Sequence, residues 1–290
     1  LNRVLLDGCN PNVVGIDEVI RIAKRGIGLL RPREMNTAGI YFGGAGLVSS
    51  NFAEVLNHAL KKAFPGIRIH CGSDATNVVS CASDPDCCVA AISGTGCVAF
   101  ASLRGKITRL GGVGYLFEKA GGGFEIGRDA VSAALKDRDG IGEKTLLREL
   151  VEKKLGGDVW SKIQDLYKRD IAYVASFAPL VSMASDAGDA VALAILRENS
   201  AHVAELIRSA LKLTGEDAPV ILSGSIFIKD VRFRRMVAEQ IPLTNEPELL
   251  DYPPVFGACL QAARDLKLDK MPSLDRFVSS LQKEGSHAEN

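Results

Sequence analysis

A glycine-rich turn separates two apolar runs at residues 91–100, which read AISGTGCVAF. Gly94 and Gly96 leave the backbone uncovered and can adopt positive φ angles, while Thr95 adds a hydroxyl group between them. Successive uncovered N–H groups form a concave anion site, so this turn could bind the phosphates of a nucleotide. A plain hairpin turn that uses glycine only for its geometry is the alternative.

Two other stretches place polar residues where a buried strand should end. Asp74 lies in HCGSDATNVV, between an apolar strand and a helix. It could cap that helix, or it could take the proton from a substrate hydroxyl. Ser223, Gly224 and Ser225 follow the apolar run of VILSGSIF. Ligands of α/β proteins bind at such strand ends, although close helix packing would also favour small residues there.

An asparagine-rich loop, DGCNPNVVG, lies near the start of the chain. The amides of Asn10 and Asn12 can donate and accept hydrogen bonds, which suits sugar hydroxyls. Asn-Pro-Asn is equally a strong turn signal. A base for a hydroxyl nucleophile, with donors around phosphates, is the arrangement that phosphoryl transfer requires.

The composition excludes several other functions. The 35 basic and 35 acidic residues balance, so we expect neither nucleic acid nor a membrane surface as a partner. No apolar run approaches the roughly 20 residues of a membrane-spanning helix, and no signal-peptide pattern opens the chain. The seven cysteines and four histidines show no metal-ligand spacing. We interpret the cysteines as small buried side chains of a cytoplasmic protein.

The order of the elements predicts an α/β protein of two domains. RVLLD, AGIYFGGAG and IRIHCGSD are predicted strands that alternate with amphipathic helices, and Ser50 or Asn51 should cap the second helix. Three short strands at 87–112, CCVAAIS, CVAFASL and ITRLGG, predict an antiparallel meander, and residues 143–213 are predicted to be largely helical. PPVFGACLQAARDL predicts a closing helix, and the polar tail after about residue 270 should be frayed.

These motifs, taken in order, are similar to those of a known family. The stretches CNPNVVG, GGAG, GSDATNVV, ISGTGCVAF, GGVGYLFEKAGGGFEIGRDAV, AGDAVA, VILSGSIF and PPVFGA resemble the N-acetylglucosamine kinases. They equally resemble the related ATPases that activate benzoyl-CoA reductase. Both groups belong to the sugar kinase/Hsp70/actin superfamily, and the resemblance runs from about residue 8 to about residue 265.

The resemblance implies a two-lobed, actin-like (ribonuclease H-like) fold with ATP and substrate in the cleft between the lobes. The first lobe would span 1–88 and the second 89–290, with a closing helix near 254–266 packing back on the first. ATP with Mg²⁺ and a sugar would be the substrates, and a homodimer is expected. The implied site residues are Asp74 as catalytic base, Asn10, Gly112, Val113 and Lys119 at the sugar, Gly94, Thr95 and Gly96 at the phosphates, and Gly224 and Ser225 at the adenosine.

The sequence departs from the family pattern in three places. The Asp-Gly-Gly-x-Thr hairpin that handles phosphate is missing, so either the sequence is truncated or the protein lacks part of its phosphate clamp. Val113 stands at a sugar-lining tryptophan and Lys119 at a sugar-binding aspartate, while Glu125 replaces an aromatic residue. Lys119 could suit an anionic substrate or simply point into solvent.

We therefore expect an ATP-dependent kinase of a sugar or amino sugar, with Asp74 as its base. Two alternatives stay open. One is a catalytically inactive relative that senses a ligand or binds a partner. The other is an ATPase subunit coupled to a redox partner, which would hold an iron–sulfur cluster between cysteines at a dimer interface; the adjacent pair Cys87-Cys88 has the wrong spacing for that.

Overall fold

The computed structural model describes residues 4–30, 37–48, 50–119, 121–242 and 246–285. The helices are α1 Pro11–Val14, α2 Ile16–Leu30, α3 Phe52–Ala63, α4 Ala75–Val79, α5 Gly123–Asp139, α6 Leu146–Leu155, α7 Ile163–Leu166, α8 Ile171–Ala175, α9 Ala178–Asp186, α10 Ala190–Thr214, α11 Ser225–Lys229, α12 Val231–Ala238, α13 Val255–Asp265 and α14 Leu274–Gly285. The strands are β1 Gly39–Gly44, β2 Arg68–Ser73, β3 Cys87–Ser93, β4 Cys97–Leu103, β5 Lys106–Leu110, β6 Val220–Ser223 and β7 Glu248–Leu250.

The chain divides into two units. The first takes in the chain up to Pro85 together with the chain from Tyr252 onwards, and the second spans Asp86–Asp251. The sequence-based division placed the boundary after residue 88 and counted the closing helix with the second lobe. In the structure that helix, α13, is part of the first unit, where it packs against β1 and α4.

The first unit is built on a parallel strand pair. β1 and β2 run side by side from Gly39 opposite Arg68 to Gly44 opposite Ser73. Helices α2 and α3 pack together beside this pair and bury one apolar stripe each. The stripe of α2 follows the helical period predicted for it: Val19, Ala23 and Ile27 are buried. The two strands therefore stop together, at Gly44 and Ser73.

A five-stranded sheet forms the centre of the second unit, in the order β5-β4-β3-β6-β7. The predicted meander is present, since β4 pairs antiparallel with both β3 and β5. β6 then pairs parallel with β3, and β7 parallel with β6. Helix α10 packs along β3 and β4 with a row of fully buried residues, among them Val203, Ala204 and Ile207. β3 and β6 therefore present their carboxyl ends at one edge of the sheet.

Three local predictions were wrong. Residues 4–7 of RVLLD are not a strand, because Leu6 packs against α2 at Gly26 and no described strand pairs with them; Arg3 lies outside the described residues. Asn51 precedes α3 in a left-handed conformation and its side chain makes no cap. The tail forms α14 over Leu274–Gly285, because Phe277 is buried against Phe256, with ring centroids 5.0 Å apart; residues 286–290 lie outside the described residues.

Candidate functional site

The first unit gathers polar groups at the end of its strand pair. Because Gly44 and Ser73 are opposite each other in a parallel register, the segments that follow them emerge at the same edge. After β2 the chain reaches Asp74 at once. After β1 it makes a turn through Gly46, which has a positive φ of 79°.

Asp74 is exposed at the N-terminus of α4. Its Oδ1 accepts a hydrogen bond from the Ala75 amide at 3.0 Å and from the Ser73 hydroxyl at 3.2 Å. Its Oδ2 makes no hydrogen bond to any residue that the structure describes. The helix-cap and general-base interpretations are therefore compatible, since one carboxylate oxygen caps the helix and the other is available to a ligand.

The asparagine loop lies against the turn after β1. An ideal Cβ on Gly46 would be 2.5 Å from Asn10 Oδ1 and 2.6 Å from Asn12 Nδ2, so only glycine permits this approach. Asn10 Oδ1 also accepts the Asn12 amide at 3.0 Å, which is the turn role that Asn-Pro-Asn predicts. This packing places Asn10 and Asp74 at the same end of the first unit. The GGAG motif was the sequence signal for Gly46.

In the second unit, the turn at Gly94–Gly96 is fixed by the start of α5. The Gly123 amide donates to the Gly94 carbonyl at 2.7 Å, and the Phe124 amide donates to the Thr95 carbonyl at 2.8 Å. Thr95 and Gly96 are exposed, and their own N–H groups make no hydrogen bond to a described residue. The turn therefore presents uncovered N–H groups from a backbone that is already ordered, as an anion site requires.

A second close approach joins this turn region to β6. Gly224 has a φ of 103°, and an ideal Cβ on it would lie 2.2 Å from the carbonyl oxygen of Ser93. Only glycine fits where the ends of β3 and β6 meet, so Gly224 serves the packing of one strand end on another, and not the helix packing that was the alternative to ligand binding. It nevertheless delivers Ser225 to the edge from which the Gly94–Gly96 turn emerges, since Ile92 and Ser223 are paired in register.

These elements line one cavity of about 300 Å³ within the second unit. Its lining combines the phosphate-turn candidates Gly94 and Thr95 with Ser225. The rest of the lining comes from α5, α8, α9, α10 and the region around α11: Gly123, Ile126, Ala175, Ser176, Ala178, Pro179, Ser182, Leu196, Ile226, Lys229 and Asp230. Its lining mixes apolar and polar side chains, which is the composition that a nucleoside needs.

The predicted sugar positions Gly112 and Val113 lie on a loop whose shape is set by two charged residues that the sequence analysis missed. Arg109 donates through Nε to the Gly111 carbonyl at 3.0 Å and through Nη2 to the Gly112 carbonyl. Glu118 accepts the Val113 amide at 2.8 Å. Val113 itself is 70% exposed, so its side chain is accessible to a ligand. Neither partner belongs to a recognisable motif, because each acts on backbone groups.

Lys119 lies in a different cavity, of about 380 Å³, between α5 and α10. Its ammonium group is 3.5 Å from the Glu198 carboxylate, and both side chains are about 60% exposed. The structure thus gives Lys119 an acidic partner that sequence alone did not predict. This cavity is also lined by Asp129, Ser132, Ala133, Lys136, Gly142, Glu143, Val191, Ala194 and Ile195.

Glu125 has a structural role. The side chain is only 3% exposed, and its carboxylate accepts the Gly122 amide at 3.0 Å at the N-terminus of α5. This bond is one half of a capping box, in which an acidic residue is favoured; Gly122 has no side chain to accept the Glu125 amide in return. Glu125, which stands where the family pattern has an aromatic residue, therefore stabilises the N-terminus of α5. The same helix terminus holds the Gly94–Gly96 turn in place.

The described residues contain neither a cluster of metal ligands nor a membrane-spanning helix. Across those residues, no three His, Cys, Asp or Glu side chains come together as metal ligands. Burial raises the pKa of Cys71 and of Cys97 to about 12, so both thiols are protonated at neutral pH. No described helix is long and apolar enough to cross a membrane.

Solved structures define the class of fold. The chain superposes with a TM-score of 0.67 on a candidate N-acetylglucosamine kinase from Porphyromonas gingivalis, at 21% identity over 91% of this chain and 90% of that one. A candidate N-acetylglucosamine kinase from Chromobacterium violaceum gives 0.64, at 20% identity over 86% and 85%. A ROK family glucokinase from Streptomyces griseus, in complex with glucose and AMPPNP, gives 0.52 at 16% identity over 86% and 87%. The fold is that of the actin-like sugar kinases.

The chain belongs to the BadF/BadG/BcrA/BcrD ATPase family, whose sequence model matches residues 10–262. It is 29% identical to the N-acetyl-D-glucosamine kinase of Dictyostelium discoideum over 192 residues, which are 62% of this chain and 60% of the relative. It is 30% identical to the N-acetylmuramic acid/N-acetylglucosamine kinase of Clostridium acetobutylicum over 140 residues, 46% of this chain and 45% of the relative. The match thus spans less than two thirds of either curated relative.

Proposed function

We propose that this chain is an ATP-dependent kinase that transfers a phosphoryl group to a hydroxyl of an amino sugar. One observation carries the proposal: an ordered turn with uncovered N–H groups, Gly94–Gly96, lines the same cavity as Ser225 and a set of apolar side chains. The family is one of ATPases, and both curated relatives are named as kinases of N-acetylated amino sugars. We expect the enzyme to act in the cytoplasm, where ATP is available, and to form a homodimer.

ATP fits the residues present in the second unit. The triphosphate would accept hydrogen bonds from the N–H groups of Thr95 and Gly96 and from the Thr95 hydroxyl. Gly224, through its close approach to Ser93, would place Ser225 of the cavity lining beside the adenosine. Mg²⁺ would accompany the phosphates, because it keeps several waters and needs few protein carboxylates. When bound, it would neutralise charge on the phosphates.

The first unit would supply the acceptor side of the reaction. Asp74 Oδ2 would take the proton from the attacking sugar hydroxyl, while Oδ1 keeps its bond to the Ala75 amide. The Asn10 amide would bind a neighbouring sugar hydroxyl. The hydroxyl oxygen then forms a bond to the γ-phosphorus as the bond to the ADP oxygen breaks. Gly112, Val113 and Lys119 are the further sugar contacts that the resemblance to the family implies.

The proposal is tested by measuring ADP release with the complete gene product, magnesium and a panel of neutral, amino and acidic sugars. We expect ADP release that depends on an amino sugar and yields one sugar phosphate for each ADP. A protein that gives no heat on titration with millimolar Mg·ATP, no thermal shift and no sugar phosphate would contradict it.

A second candidate function is ATP hydrolysis that is coupled to a protein partner. The family description favours it, since it names the family as ATPases. The same assay separates the two. ADP release that no sugar stimulates, accompanied by inorganic phosphate, would favour the ATPase. Release that rises with an amino sugar and produces no inorganic phosphate would favour the kinase.

A further inference from the structure

In the lining of the 300 Å³ cavity, Ser182 of α9 contacts Asp230, which lies 48 residues further along the chain. Both side chains are half-buried and both line the cavity. The Ser182 hydroxyl donates its hydrogen to Asp230 Oδ2. Nothing in the proposed transfer of phosphate uses this pair, so its role needs its own explanation.

Asp230 is held in a single orientation by the helix that follows it. Its Oδ1 accepts the Phe233 amide at 2.8 Å and caps α12. An ionised carboxylate can only accept hydrogen bonds, so Oδ2 fixes the direction of the Ser182 hydroxyl hydrogen. With that hydrogen directed at Asp230, the Ser182 oxygen can offer only its lone pairs to the cavity. A serine hydroxyl that is normally donor and acceptor becomes an acceptor.

Apolar side chains approach the cavity from the same helix. Ala178 and Pro179 precede Ser182 by four and three residues, so they share its face of α9. Ile126 and Leu196 add apolar surface from α5 and α10. A nucleoside whose flat base packed on such surface could present the polar edge of the base, or its ribose hydroxyls, to the oriented acceptor Ser182 Oγ.

We infer that Ser182 Oγ accepts a hydrogen bond from a donor group of the bound nucleoside, and that Asp230 imposes this polarity. The inference rests on the proposed function, because it concerns the nucleotide of the same reaction. Two donors of ATP have this chemistry: the exocyclic amine of adenine and a ribose hydroxyl. Ser182 is thus a specificity-determining residue, and Asp230 is a positioning residue that acts through it.

Replacing the donor should weaken binding selectively. Inosine triphosphate carries a carbonyl acceptor where ATP carries the exocyclic amine, while 2′-deoxy-ATP and 3′-deoxy-ATP each lack one ribose hydroxyl. The carbonyl of inosine triphosphate would place an acceptor against the acceptor Ser182 Oγ, and a missing ribose hydroxyl would leave Ser182 Oγ without a donor. Either change leaves a half-buried group unpaired, so we expect one of these analogues to bind about tenfold more weakly than ATP. The analogue that loses affinity identifies which donor Ser182 reads.

The experiment measures the dissociation constants of Mg·ATP and the three analogues by calorimetry, which requires no catalytic turnover. Ser182→Ala removes the acceptor and should reduce the preference for ATP to about one- to threefold. Asp230→Asn keeps the cap, because asparagine caps helices about as well as aspartate. Its amide group would donate to Ser182 Oγ and turn the hydroxyl hydrogen toward the cavity. The preference should then shrink or reverse, and it should reverse most for inosine triphosphate if the amine is the donor.

Ser185→Ala is the matched control. It removes a serine hydroxyl from the same helix, but Ser185 is buried, donates to the Ser182 carbonyl and does not line the cavity. Its preference among nucleotides should equal that of the wild type. Equal wild-type affinity for all four nucleotides, or an unchanged preference in Ser182→Ala, overturns the inference alone. A wild-type protein that binds none of them overturns the proposed function and the inference with it.

Discussion

Gly257 and Asn77 are in direct backbone contact: an ideal Cβ on Gly257 would lie 1.7 Å from the carbonyl oxygen of Asn77. Gly257 is in the first turn of α13, and Asn77 is in α4. Helix α4 is the helix that Asp74 caps. The absence of a side chain at Gly257 therefore lets α13 support the helix that carries the proposed base.

Gly257→Ala should consequently destabilise the first unit and disturb Asp74. A methyl group cannot lie 1.7 Å from the Asn77 carbonyl oxygen, so α13 or α4 must shift. The shift should cost about 1–3 kcal/mol in the free energy of unfolding. Denaturant titration of the variant measures that cost. Amino-sugar kinase turnover should fall as well, because the shift reaches the N-terminus of α4.

Gly28→Ala is the control for this prediction. Gly28 lies in α2, is exposed, and has no atom within 4 Å of an ideal Cβ. Alanine is a better helix former than glycine by about 1 kcal/mol, so this variant should be as stable as the wild type or more stable. If Gly257→Ala unfolds at the same denaturant concentration as Gly28→Ala, the packing of α13 on α4 does not matter for stability.

Asp74→Asn separates the cap from the base. Asparagine preserves the cap on the Ala75 amide but cannot take a proton from the substrate, so turnover should fall about a hundredfold or more with ATP affinity nearly unchanged. Steady-state kinetics and nucleotide titration measure the two effects. Asp170→Asn provides the comparison, since Asp170 caps another five-residue helix, α8, by accepting the Tyr173 amide at 2.8 Å. Full activity in Asp74→Asn would remove Asp74 from the mechanism.

Gly96→Ala and Gly122→Ala test the phosphate turn from opposite sides. A Cβ on Gly96 meets no atom within 4 Å, so the fold should tolerate it, yet the methyl group would cover the exposed N–H groups. We expect an unchanged Tm and roughly tenfold weaker Mg·ATP binding for Gly96→Ala. A Cβ on Gly122 would be 2.5 Å from the backbone of Gly96, so Gly122→Ala should lower both Tm and affinity. Wild-type affinity in Gly96→Ala would argue against phosphate binding by this turn.

Local patterns predicted most of the elements and the stretches that form the site. The 3.6-residue period of α2 and the small-residue turns after β3 and β6 are readable because their causes lie within a few residues of chain. Long-range partners were not readable. The Ser182–Asp230 bond spans 48 residues and the Lys119–Glu198 pair joins a loop to α10. The tail was predicted to fray because most of its residues are polar. It forms a helix because Phe277 packs against Phe256, which lies earlier in the chain.

The loop after α5 should lose stability in acid because of Asp137. This buried carboxylate accepts Lys144 Nζ at 3.0 Å and the Thr145 amide at 3.1 Å. Its pKa is lowered chiefly by the hydrogen bond from Lys144, then by that from the Thr145 amide. A lowered pKa gives stability that is present above about pH 4, the value for an unfolded aspartate, and is lost as the pH falls through the folded pKa.

Asp137→Asn should therefore lower Tm near neutral pH, and the difference from the wild type should shrink as the pH falls below about 4. Thermal unfolding across this range measures it. Asp165→Asn is the control, since Asp165 is exposed and its pair with Lys168 is long at 3.7 Å; its Tm should follow the wild type at every pH. A Tm difference for Asp137→Asn that stays constant with pH would assign the effect to packing.

The choice of sugar should depend on Lys119 and Glu198 together. An ammonium group in place of a sugar-binding carboxylate removes acceptors and adds three donors, so we expect that N-acetylglucosamine is not the best substrate and that an acidic amino sugar is. An acidic substrate must compete with Glu198 for Lys119, whose contact of 3.5 Å is exposed and therefore weak. Lys119→Ala should raise KM for the acidic sugar about tenfold, and Glu198→Gln should lower it.

Neutral amino sugars provide the internal control, because neither substitution should change their KM more than about twofold. Both residues are about 60% exposed, so neither variant should alter Tm appreciably, and a change in KM can be assigned to the substrate. ADP release from the complete gene product across the sugar panel gives all the values. If N-acetylglucosamine is the best substrate and Lys119→Ala leaves its KM unchanged, Lys119 faces solvent and Glu198 only, and the sugar is selected elsewhere.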